Sequence, residues 1–190
     1  MYYHGSPIGN LKTLKPQVSF FSEDDKPFVY LTTDKAHAAI YTVKSFMYPY
    51  GFNRDTHIVS YSEPYDGFLK ETYLGKRGYI YEIEDVESIH PKKGIRYAHY
   101  TSENVTVTSV EFLEDVYLKL AEYEKEGKIE LIPYARVPEK TKQFYHKWTT
   151  EKLAEEKYFN STEDYPMFLK EKFPAAWKEA NALRTGSPLE

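Results

Sequence analysis

Two stretches carry residue types whose spacing can do chemistry. The first is His4-Gly5-Ser6, close to the amino end. A lone histidine is ordinarily structural, but the glycine after it lets a ligand approach the backbone, and its amide and carbonyl can pair with a planar amide such as a carboxamide. The second is Phe28-Val29-Tyr30-Leu31 running into Thr32-Thr33-Asp34-Lys35-Ala36. Tyr30 ends the apolar run and Tyr41 follows eleven residues later. If the first part is a strand and the second a helix, both rings can face one cleft at the junction and offer stacking surface with a polar tip. Glu103, in Thr101-Ser102-Glu103-Asn104, directly precedes an alternating stretch. Taken alone, it reads as a solvated turn residue.

These residues need elements to hold them. Met1 to His4 reads as a very short strand, with Gly5-Ser6-Pro7 as a turn. Leu11, Leu14 and Pro16 suggest a turn or short helix, and Ser22 to Lys26 a polar loop. Phe28 to Leu31 predicts a buried strand. Thr32 or Thr33 can cap the following helix, with Asp34 at its positive end, and Ala36, Ala39, Ile40, Val43 and Met47 continue a helical pattern. Val59 to Tyr61 predicts a short strand and Pro64 to Gly78 a long loop with a helical stretch near Phe68 to Thr72. Gly78 to Ile83 alternates as a strand; Ile95 to Tyr97 and Asn104 to Val110 predict two more. Beyond Val110, Phe112, Leu113, Val116, Tyr117 and Leu120 mark an amphipathic helix ended by Gly127. Ile129 to Ile132 predicts a last strand, and the remainder is helical, punctuated by Pro166 and Pro174. Short strands with one early helix, followed by helices, form an α+β pattern, with a boundary near Pro133 to Pro138. The organisation expected is a domain over 1–135, a helical extension docked on it over 136–184, and a disordered tail over 185–190.

Composition narrows the function classes. The 190 residues have 41% hydrophobic and 28% charged content, ordinary for a folded soluble domain. The formal charge is −4, and neither side of Val110 carries the basic excess of a general nucleic-acid binder. With no cysteine there is no disulfide, thiolate metal site or thiol nucleophile. His57, His90, His99 and His146 lack metal-site spacing. No leader or membrane-length apolar run is present, so a soluble cytoplasmic protein is the expectation. His37 is expected on the solvent face of its helix. Lys70, Lys76 and Arg77 form a small basic patch in the glycine-containing loop, read as a solvated face or a contact for a pyrophosphate or acceptor. Nothing singles out Glu63 or Glu71.

The ordered set His4-Gly5-Ser6, Val29-Tyr30-Leu31, Tyr41 and Glu103 resembles the ADP-ribosyltransferase superfamily. The likeness is to its His-Tyr-Glu branch, which contains the poly(ADP-ribose) polymerases and diphtheria-type toxins, here as a small bacterial- or phage-type member. In that branch one strand ends in His-Gly-Ser/Thr, a second in an Ile/Val-Tyr-Phe/Leu unit, a helix carries a tyrosine eleven residues on, and a glutamate heads a late strand. The resemblance implies a split β-sheet core and NAD as substrate, with no metal needed because the nicotinamide leaving group is already activated by its positive ring. It implies that Gly5 fixes the carboxamide, Tyr41 stacks on the ring, Tyr30 walls the pocket, His4 donates to the adenosine ribose and Ser6 supports it. Glu103 then holds the nicotinamide-ribose 2′-hydroxyl, a contact that strengthens as oxocarbenium charge develops.

One position departs from the pattern. Eight residues after Tyr30 the polymerases carry a serine that helps hold the carboxamide, and here the residue is Ala38. No regulatory helical domain or long acceptor loop is evident either. The resemblance therefore implies transfer of single ADP-ribose units to a protein or nucleic-acid acceptor that the sequence does not name. An inactive relative that binds NAD, ADP-ribose or a protein, a NAD-dependent RNA 2′-phosphotransferase, and a NAD glycohydrolase remain open.

Overall fold

The computed structural model describes residues 1–18, 26–53, 55–84 and 86–186. The loop expected at Ser22 to Lys26 falls almost wholly outside them, as do Arg54 and the last four residues of the expected tail.

The strands are β1 (Tyr2–Ser6), β2 (Thr13–Leu14), β3 (Val29–Thr32), β4 (Tyr50–Phe52), β5 (Val59–Ser62), β6 (Gly78–Ile83), β7 (His90–Pro91), β8 (Ala98–Thr101), β9 (Val105–Thr106), β10 (Ser109–Leu113) and β11 (Ile129–Ile132). The helices are α1 (Lys35–Ala39), α2 (Phe68–Tyr73), α3 (Val116–Lys125), α4 (Glu139–Ala154), α5 (Glu156–Phe159), α6 (Asp164–Lys172) and α7 (Pro174–Thr185). The fold is mixed α+β with antiparallel sheets. One sheet has the order β10-β6-β1-β3-β8-β7, a second β11-β5-β4, and β2 pairs with β9. The chain forms two compact units, one of Met1–Tyr61 with Leu69–Leu131 and one of Ser62–Phe68 with Ile132–Glu190.

In the first unit, β1 runs beside β6 along its whole length, from Tyr2 opposite Ile83 to Ser6 opposite Tyr79. Gly5 and Ser6 thus belong to the strand rather than to a turn. One face of the sheet, with Leu14 and Val105 from the small β2-β9 sheet, buries Val29, Leu31, Tyr81 and Ile83. The other face receives α1, which packs on β1, β3, β6 and α3. A Cβ at Gly5 would lie 2.0 Å from the Ala38 carbonyl oxygen, so the glycine serves close approach of a helix backbone to a strand. Gly78 does the same for the Thr42 side chain, whose Cβ would be 2.4 Å away.

Helix α1 ends earlier than its apolar pattern suggests. Asp34, rather than a threonine, caps it by accepting the His37 N–H at 3.0 Å. After Ala39 the Thr42 hydroxyl takes the Ala39 carbonyl at 2.7 Å, and the Tyr48 hydroxyl takes that of Val43 at 3.1 Å. Side chains thereby replace the next helical hydrogen bonds. Tyr41 lies in the turn beyond the helix, not two turns inside it. The stretch Asn104 to Val110 is also two strands. The Thr108 N–H and hydroxyl both donate to the Glu82 carbonyl, and the chain passes there from β9, beside β2, to β10, beside β6. Phe112 and Leu113 belong to β10, and α3 starts only after Asp115, which caps it through the Leu118 N–H. Residues 95 to 97 form a turn, not a strand, and Leu14 lies in a strand rather than a turn or helix.

Lys35 at the start of α1 reaches Glu82 and Glu111, each at 2.9 Å, and Lys119 on α3 reaches Glu111 at 3.3 Å. Burial pulls the Lys35 ammonium down, but the two carboxylates outweigh it and hold its pKa above the usual lysine value. This network ties both helices to the face that Gly5 opens.

The second unit is helical, with α4, α6 and α7 packed on one another. Glu63 is buried and accepts the Tyr134 N–H at 2.9 Å, which makes it a structural carboxylate.

Gly5→Ala is expected to destabilise the protein by about 2 kcal/mol or more through overpacking against the Ala38 carbonyl. Gly94→Ala, where a Cβ meets nothing within 4 Å but φ is +80°, is expected to cost about 1 kcal/mol from backbone strain alone. Urea unfolding of both variants checks the difference; equal losses would mean that the close approach is not what selects glycine at position 5.

Candidate functional site

His4 on β1 and Tyr30 on β3 meet directly. The two strands share the registered pair Tyr3 with Thr32. One step along, His4 donates from Nδ1 to the Tyr30 carbonyl at 2.9 Å. Burial lowers the imidazole pKa, with the carbonyl bond opposing it, so His4 is neutral at pH 7. Because Nδ1 carries the proton, the other nitrogen, Nε2, is an acceptor. A nitrogen in that state can accept from a hydroxyl but not donate to one.

The Tyr30 side chain stands beside the edge of Phe28, with ring centroids 6.1 Å apart, and under the Lys92 ammonium at 4.7 Å. Its strand neighbour across β8 is Tyr100. Ser6 is buried, and its hydroxyl accepts the Ile8 N–H at 3.1 Å, which fixes the exit of β1. Ala38 is buried with its carbonyl against Gly5.

Tyr41 belongs to a different group of rings. Its centroid is 5.4 Å from His37, 4.7 Å from Tyr48 and 6.3 Å from Tyr50. Phe52 joins through Tyr50, and Tyr97 through Phe52. Burial, and to a lesser degree the neighbouring phenols, raise the Tyr41 pKa, so it is a neutral stacking surface. Three aromatics at alternate positions, 48, 50 and 52, were the sequence signal for this cluster; helical spacing drew attention away from it.

His37 lies inside this cluster, 3% exposed, and not on the solvent face. Asp34 caps at its N–H, and this cap turns the side chain inward. Thr32 Oγ1 accepts the Asp34 N–H at 3.1 Å and shares a hydrogen bond with His37 Nδ1, 3.2 Å away. Nε2 is buried without a partner among the described residues. A buried polar atom left unpaired costs about 1–3 kcal/mol. Tyr97 adds strain, with φ of 64°, while its hydroxyl holds the His57 carbonyl at 2.7 Å.

Glu103 is exposed on the connection from β8 to β9. Its N–H donates to the Thr101 hydroxyl at 3.1 Å, and Thr101 pairs with Val29, the residue before Tyr30. The structure thus joins His4 to Tyr30 by a hydrogen bond and Gly5 to Ala38 by packing. It groups Tyr41 with His37 and links Glu103 to the Tyr30 strand through the backbone. Lys70, Lys76 and Arg77 are exposed. Among the described residues no cluster of His, Asp and Glu is arranged to hold a metal ion, and no helix is long and apolar enough to cross a membrane.

Burial pushes the His37 imidazole down to about 4 from an ordinary 6.5. Between these values the unfolded chain binds a proton that the folded chain refuses, so stability falls as pH is lowered through that window, by about 3 kcal/mol in all. His4 acts in the same direction. Denaturant unfolding at stepped pH is expected to show the slope in wild type and to lose most of it in His37→Gln. A flat profile from pH 6.5 to 4 in wild type contradicts the burial.

Comparison of the chain with protein-family models, with curated proteins and with solved structures gives no match.

Proposed function

We propose that the protein is a NAD-dependent mono-ADP-ribosyltransferase of the His-Tyr-Glu type, built on an ADP-ribosyltransferase-like split sheet. The observation that carries the reading is the His4–Tyr30 junction. Two motif residues 26 apart in sequence are hydrogen-bonded across β1 and β3, beside a glycine whose missing side chain seats the helix that follows β3.

In this reading NAD is the substrate. Nε2 of neutral His4 accepts a ribose hydroxyl. The Gly5 backbone pairs with the carboxamide, and Tyr30 and Tyr41 provide aromatic surface for the nicotinamide end. The bond from the ribose anomeric carbon to the nicotinamide nitrogen breaks, and its electron pair neutralises the positive ring. The acceptor nucleophile forms the new bond to that carbon and gives up its proton. Glu103 holds the 2′-hydroxyl of the same ribose and favours the cationic transition state over the ground state. The chemistry of the leaving group asks for no metal.

A second reading, binding of NAD or ADP-ribose without turnover, draws support from two features: the exposed position of Glu103 and an alanine where the polymerases have serine.

Incubation with NAD is expected to release nicotinamide and to add one ADP-ribose unit to an acceptor or to the protein itself, read by chromatography and intact mass. Glu103→Ala is expected to lower the rate more than tenfold while NAD still binds. A smaller loss removes Glu103 from its role. NAD binding in calorimetry with no nicotinamide released from wild type selects the second reading, and no binding at millimolar NAD sinks both.

A further inference from the structure

The helical unit contains a cleft of about 200 Å³ that the proposed transfer does not use. Its lining combines two lysines and a histidine with aromatic rings: Lys142, Lys172 and His146 with Tyr65, Tyr134 and Phe173. The Lys142 ammonium lies 4.5 Å from the centroid of the Tyr134 ring, and that of Lys172 lies 5.6 Å from Tyr65. Each ring holds its lysine in place while leaving ammonium protons to donate. Lys142 has no carboxylate in ion-pair contact among the described residues. Lys172 meets Glu171 at 3.1 Å, a carboxylate that is 73% exposed, so this pair contributes little.

The remaining walls agree with this character. His146 is fixed by Glu179 at 2.6 Å and Tyr145 by the Ser62 hydroxyl at 3.2 Å, which orients α4 across the cleft. Tyr65 and Phe173 meet edge to face, centroids 5.8 Å apart, and form an apolar wall. Ala175 and Ala176 at the start of α7 also line the cleft, and no side chain caps that helix, so its first N–H groups add positive potential.

We infer that this cleft binds a nucleoside monophosphate, with the phosphate between Lys142 and Lys172 and the base against the Tyr65, Tyr134 and Phe173 rings. Two lysines alone would suit any anion; the aromatic walls are what call for a planar group attached to it.

The test is calorimetry on the full chain with AMP, adenosine and inorganic phosphate. AMP is expected to bind at least tenfold more tightly than either part. Lys142→Ala is expected to weaken AMP at least tenfold, whereas Lys147→Ala, which removes the same charge from an exposed position on α4, leaves it within twofold. His4→Ala, in the other unit, is expected to leave AMP binding unchanged, which separates this cleft from any nucleotide contact of the proposed transfer site. Phosphate binding as tightly as AMP, equal effects of the two lysine variants, or no AMP binding at millimolar concentration overturns the inference.

Discussion

Gly5 has no side chain, and the Ala38 carbonyl stands where one would be. This close approach fixes much of the first unit. It lets the backbone of α1 rest directly on β1, and it brings Thr42 down onto Gly78 of the neighbouring strand. From that seat Lys35 reaches the carboxylates of β6 and β10, and Tyr73 on α2 donates its hydroxyl to the Ile40 carbonyl at 2.9 Å. A helix of five residues is too short to be stable alone, so it exists because tertiary contacts define it.

The same seating decides what faces inward. With Asp34 as cap, His37 turns into a group of tyrosines and phenylalanines and loses its solvent. Its unpaired Nε2, the strained backbone of Tyr97 and the Lys35 network lie around one helix end. Strain and unsatisfied polar groups persist only where surrounding packing over-determines them. Here that packing is the aromatic cluster of β4 and the turn before β8. On the opposite face of β1, His4 is held by a main-chain carbonyl and is kept neutral. Two histidines are therefore both uncharged at pH 7, His4 because burial outweighs the carbonyl bond that opposes it and His37 because rings enclose it.

Several elements were legible from local pattern. Gly78 to Ile83 and Ile129 to Ile132 alternate and form strands over those residues, since alternation with one buried face has one stable solution. The progression from short strands to helices was visible, and α+β is the class observed. Other elements were not legible, because their determinants are distant. The run from Asn104 to Val110 has uniform β character, yet it changes sheets at Thr108, where the Glu82 carbonyl takes two donors. Gly5 reads locally as a turn, but its reason for being glycine lies 33 residues away at Ala38. Apolar spacing extended α1 to Met47, whereas the Thr42 and Tyr48 hydroxyls end it by competing for carbonyls.

The types and order of the candidate residues were in the sequence: histidine then glycine near the start, a tyrosine ending an apolar run, a second tyrosine eleven residues on, and a glutamate before a late alternating stretch. Type and order are properties of the chain alone. What only the tertiary structure decided is which nitrogen of His4 holds a proton, which face of α1 is dry, and which rings surround Tyr41. Those depend on a carbonyl from a neighbouring strand and on side chains from β4 and the turn before β8. No local pattern encodes a hydrogen bond between residues 4 and 30, because it exists only once two strands lie side by side.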